Sequence, residues 1–170
     1  MRQLRRLLIS SIAFLFCFII SFPTLAQERL SEIIKKIEPS TVVILTYDKD
    51  GNIISQGSGF FISKNGDIIT NRHVLVRSHS AGVKTINGKI YPITLIVAED
   101  KEADLIRASV NIPVESVYPL SISSSIPEAG ERVAVIGSPL GLERTVSDGI
   151  ISAVRDIPAF GKIYQITAPI

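Results

Sequence analysis

The chain has 170 residues, a formal charge of +2 and one cysteine, Cys17. A single thiol excludes an internal disulfide and a cysteine-built zinc site. So weak a basic balance gives no argument for nucleic-acid binding.

The first segment reads as a targeting signal. Arg2, Arg5 and Arg6 precede an uncharged, mostly apolar run from Leu7 to Phe22, and Thr24 and Ala26 supply the small residues of a cleavage site. A helix over that run would be about 24 Å long, short for the bilayer core. Residues 1–26 are therefore expected to be a removed signal peptide, with a retained inner-membrane anchor as the alternative. Phe16 precedes Cys17 where a lipoprotein leader needs a small residue, so lipidation is not expected. Without the leader the chain keeps 15 basic against 16 acidic residues and no cysteine, so the basic character belongs to the leader. The expected location is the bacterial periplasm, with secretion as a further possibility.

Residues 27–38 hold one short amphipathic helix. Leu30, Ile33, Ile34 and Ile37 follow the i, i+3, i+4, i+7 spacing, and Pro39 closes the run. From there the pattern becomes that of strands. "STVVILTYD", "GSGFFIS", "GDIITN", "GVKTI", "KIYPITLIVA", "DLIRASV", "ERVAVIG", "RTVSDGIISAV" and "KIYQITA" are short and rich in β-branched residues, and isoleucine alone contributes 28 positions. Asp50-Gly51, Asn65-Gly66 and Asn87-Gly88 mark tight hairpins. This pattern predicts an all-β antiparallel barrel or sandwich. The best internal boundary is "PLSISSSIPEAGE", residues 119–131, which separates a domain at 39–124 from a shorter one at 125–170.

Chemistry centres on His73. A lone histidine is most often structural, but this one follows the strand "DIIT", where a sheet end holds a side chain firmly toward a cleft. His79 lies in the polar loop "RSHSAG" and reads as solvated, and two histidines with no further ligands at a recognisable spacing do not make a metal site. A histidine base works best beside a buried carboxylate that fixes its tautomer. Glu99, Asp100 and Glu102 read as a solvated charged turn. Asp104 is followed directly by Leu105 and Ile106, so it is expected to be drawn inward, where a carboxylate needs a partner.

At this point "GSGFFISKNGDIITNRHVL", "ADLIRASV" and "RVAVIGSPLGLERTVSDGIISAV" together resemble the trypsin-fold serine proteases of the bacterial HtrA/Deg type. The resemblance implies a trypsin-like double β-barrel, the first barrel complete and the second only begun. It implies His73 as general base and Asp104 as its orienter, with protein or peptide substrates and no cofactor, metal or nucleic acid. The membrane enters only if the leader is retained.

Gly57 and Gly59 read as close-packing positions in a strand, since no phosphate-binding helix follows them. Gly137 to Gly141 read as a turn. Ser138 and Ser58 read as structural, because neither sits on a strand-to-helix nucleophile elbow. The Gly-x-Ser-Gly-Gly nucleophile loop that the resemblance implies is expected just past Ile170, with the oxyanion donors. Losing the serine costs on the order of 10⁶ in turnover, and losing an oxyanion donor roughly 10²–10³. The 170 residues alone are thus expected to be an inactive fragment of an exported endopeptidase. A non-catalytic exported binding or scaffold protein on a degenerate protease fold is the alternative.

Overall fold

A computed structural model describes residues 29–137, 145–158 and 161–169. The expected signal peptide and Ser138 lie outside the described residues. Two compact units divide the chain, Met1–Glu32 and Ile33–Ile170. Of the first, only residues 29–32 are described, where Glu32 N–H donates to the Arg29 carbonyl and helix α1 (Leu30–Ile37) begins. The helix ends at Ile37, in front of a 3-10 turn at Glu38–Ser40 that contains Pro39. No described helix is long and apolar enough to cross a membrane.

The nine strands of the described residues fall where the β-branched runs lie. They are β1 (Thr41–Tyr47), β2 (Ile53–Phe61), β3 (Asp67–Asn71), β4 (Ser80–Lys84), β5 (Ile90–Asp100), β6 (Leu105–Val110), β7 (Arg132–Gly137), β8 (Thr145–Ile157) and β9 (Gly161–Ile166). The first six close into an antiparallel barrel in the order β1-β2-β3-β6-β5-β4, with β4 returning to β1. Alternation puts Ile106, Ala108 and Val110 of β6 inward beside Ile44, Phe61, Ile68 and Val83. Phe61, Ile44, Ile68 and Val83 are all fully buried. β1 breaks the alternation, being buried from Val42 to Thr46.

Each hairpin dipeptide makes its turn through glycine alone, with φ of 84° at Gly51, 87° at Gly66 and 80° at Gly88. The preceding Asp50, Asn65 and Asn87 keep negative φ, so these are not the turns with two left-handed residues that the dipeptides most favour. Two register shifts in the β5–β6 pairing bend this long hairpin.

The linker after β6 is tied to the barrel. Val117 is buried, Lys64 Nζ donates to its carbonyl at 2.9 Å, and Leu120 N–H donates to the Phe61 carbonyl at 2.8 Å. Beyond it, β7, β8 and β9 form a second antiparallel sheet. β8 pairs with β7 through Thr145–Ile150 and with β9 from Ile151 onward.

Candidate active site

The site begins where β3 runs out. After Asn71 the backbone turns into a one-turn helix, α2 (Arg72–Leu75), which four residues are too few to announce by periodicity. Val74 and Leu75 are buried, so this turn is anchored on its inner side while His73 faces out. Gly57 of β2 makes the anchoring possible. A Cβ there would sit 2.6 Å from a Val74 methyl, and one at Gly59 would sit 2.9 Å from the Ile69 carbonyl oxygen. Both glycines are therefore close-packing positions, as their place in the strand suggested.

β6 is hydrogen-bonded to β3 in a register that sets Asn71 opposite Leu105, and this brings Asp104 to α2. His73 Nδ1 lies 2.6 Å from Asp104 Oδ2, and His73 backbone N–H donates to Asp104 Oδ1 at 2.9 Å. Arg72 N–H donates to the Asp104 carbonyl at 2.9 Å. Asp104 thus takes two of the backbone donors that the start of a helix leaves unsatisfied. The Asn71 side-chain amide adds donations to the Asp104 carbonyl at 3.2 Å and to Oδ2 at 3.3 Å.

The expected inward position of Asp104 is corrected. Its side chain is 41% exposed, and Leu105 beside it is exposed as well; the first inward residue of β6 is Ile106. Hydrogen bonding, and not burial, fixes this carboxylate. It is also the only described non-glycine residue with positive φ, 55°, a conformation aspartate tolerates at about 1 kcal/mol. The His73 side-chain and backbone hydrogen bonds hold its pKa below the ordinary 3.8. An ionised Asp104 is purely an acceptor, so the shared proton sits on His73 Nδ1, which in the neutral ring leaves the lone pair on Nε2.

The charged turn also differs from expectation. Asp100 Oδ1 accepts from Glu102 N–H and Ala103 N–H, both at 3.0 Å, and shapes the turn leading into Asp104. Glu99 belongs to β5 and accepts from Arg72 Nε, tying the far side of α2 to the barrel. Sequence reasoning missed this pair and the Asn71 contact, although Asn71 stood within the Thr-Asn-x-His pattern.

The other histidine, His79, is exposed, and its backbone N–H donates to the Tyr47 carbonyl. Among the described residues no group of three or more His, Cys, Asp or Glu side chains could hold a metal. Ser58 lies on β2 with its carbonyl accepting from Thr70 Oγ1 at 2.8 Å, and Gly137 ends β7 close to the Ser58 hydroxyl.

A base backed by an ionised carboxylate, on a rigid sheet end, can accept a proton at Nε2 and hold the resulting positive charge. The family described as a trypsin-like peptidase domain matches residues 57–170. Serine protease HTRA1A of Danio rerio is 32% identical over 131 residues, 74% of this chain and 27% of that protein. The mitochondrial serine protease HTRA2 of Drosophila ananassae is 39% identical over 103 residues, 59% of this chain and 24% of that protein. A crystal structure of the serine endoprotease from Yersinia pestis superposes with a TM-score of 0.63 at 31% identity, covering 71% of this chain and 43% of that one. The chain spans about a quarter of the length of the curated relatives it matches.

Proposed function

Because the chain belongs to the trypsin-like peptidases, in their HtrA-type branch, we propose that it is part of an exported serine endopeptidase with His73 as general base and Asp104 as its orienter. The observation that carries this reading is the double contact of the Asp104 carboxylate with the ring and the backbone N–H of His73.

Nε2 takes the proton of a serine hydroxyl as the serine oxygen bonds to the substrate carbonyl carbon. The imidazolium then protonates the departing amine as the C–N bond breaks, and water releases the acyl group by the same two proton transfers. Asp104 stays ionised throughout and steadies the positive ring. Among the described residues no serine oxygen is hydrogen-bonded to the His73 ring. The nucleophile and the oxyanion donors are assigned to a Gly-x-Ser-Gly-Gly loop of the kind the family resemblance implies. Export rests on the basic and apolar composition of residues 1–26.

The test is expression of the coding region extended beyond Ile170, assayed on casein and with a fluorophosphonate probe. The extended protein should cleave and label, and His73→Ala should do neither. Normal labelling after His73→Ala overturns the assignment. A reading frame that closes after Ile170 replaces it with a non-catalytic binding protein on the same fold. N-terminal sequencing of the exported product should begin at Gln27; a retained leader makes it membrane-anchored.

A further inference from the structure

Beside His73 the surface falls into a cavity of about 610 Å³, walled by Ile54 of β2 and by Val74 and Val76 of the α2 segment. That is within the range of ligand-sized clefts, roughly 300–1,000 Å³. Two arginines line it, Arg72 and Arg77, and no aspartate or glutamate does. Arg72 is matched by Glu99. Arg77 makes no ion pair or side-chain hydrogen bond among the described residues, so its charge is uncompensated.

The nearby acids are committed elsewhere. Asp104 faces the Nδ1 side of His73, and Asp48 of the β1–β2 turn is occupied by Asn52 N–H, Asn52 Nδ2 and Asp50 N–H. Ile54 is 49% exposed and Val76 48%, which leaves apolar walls open to solvent around one unpaired cation. Such walls and such a cation suit a side chain with a methylene stem and a carboxylate tip.

We propose that this cavity is a substrate subsite that selects an acidic side chain, glutamate above all, within two residues of the scissile bond, with Arg77 as the specificity-determining residue. The inference rests on His73 being the general base. A base must come within about 3 Å of the group it deprotonates, and an extended peptide advances roughly 3.3 Å per residue. A cavity that includes His73 in its lining therefore receives a side chain next to the cleaved bond. The stem packs on Ile54 and Val76 while the carboxylate meets Arg77.

The experiment uses the extended protein and internally quenched peptides that carry Glu, Gln or Lys at one flanking position at a time. At one position kcat/KM should favour Glu over Gln about three- to fivefold, the scale of an exposed ion pair. The Glu-to-Lys ratio should be larger and should shrink as NaCl is raised to about 0.5 M, because salt screens exposed charge. Arg77→Glu should invert the Glu-to-Lys order. Cleavage with a Glu-to-Gln ratio of one at every flanking position, or an order that Arg77→Glu leaves unchanged, overturns the subsite while leaving the catalytic reading standing. No cleavage of any peptide by the wild-type extended protein overturns the catalytic reading itself, and the subsite falls with it.

Discussion

The Asp104 carboxylate meets two donors of a single residue, with Oδ1 on the His73 backbone N–H and Oδ2 on the His73 ring. One contact alone would leave the ring free to swing. The pair fixes both the place of α2 and the tautomer of the imidazole. Asp104→Asn should keep the fold and reverse the hydrogen-bonding sense at Nδ1. In the nucleophile-bearing protein kcat should fall by about 10⁴. Nitrogen NMR of the imidazole should show the proton moving to Nε2, and with only His73 and His79 in the chain the assignment is direct.

Asn71 supports Asp104 without facing the substrate. Its amide reaches both the carbonyl and the carboxylate of a residue held at positive φ. Asn71→Ala should lower kcat about tenfold, the worth of one hydrogen bond to a charged group, and leave KM unchanged. A fall in KM-governed binding alone would assign Asn71 to substrate contact instead.

Packing beneath the base is equally specific. A methyl group at Gly57 would lie 2.6 Å and 2.7 Å from the two Val74 methyls. Gly57→Ala should destabilise the protein by about 1–3 kcal/mol and displace His73. Val74→Ala opens the same space, so the double variant should be less destabilised than the sum of the singles by about 1 kcal/mol or more in a urea-denaturation cycle. Strict additivity would show that the two positions do not touch.

Acid stability should follow Asp67, whose pKa is held below the ordinary 3.8 by Ser109 first and Arg107 second. Ser109 Oγ donates to Oδ1 at 2.6 Å and Arg107 Nε to Oδ2 at 3.1 Å, and the Asp67 side chain is only 11% exposed. Because the folded value lies below the unfolded one, this stabilisation is fully present above the unfolded pKa. It is lost as pH falls through 3.8 toward the folded value. Asp67→Asn should cost about 1–3 kcal/mol at pH 7 and flatten the loss of stability between about pH 5 and pH 3. An unchanged acid profile in Asp67→Asn would remove this network from the account.

The strands were legible because β-branched runs between glycine turns leave the chain few other options, and the glycines at 51, 66 and 88 carry the left-handed φ. His73 and Asp104 were legible as motif residues 31 positions apart. Their environment was not. Apolar Leu105 and Ile106 suggested that Asp104 turned inward, yet strand alternation sends only Ile106 to the core. Helix α2 has one turn and no period to read. Arg72 with Glu99 and the cavity around Arg77 depend on how β5 and β2 pass α2, which spacing along the chain does not encode.

The β3–β6 pairing carries one more consequence, for folding. His73 and Asp104 come together only after the chain between them, which holds all of β4 and β5, has been laid down and β6 has docked beside β3. Closing so long a loop has an entropic cost that is recovered only by the strand contacts at its end. The Nδ1 proton between the two side chains is thus a marker of β3–β6 pairing. Its low-field resonance should be missing from any species in which β3 and β6 are unpaired and should arise in step with that ladder.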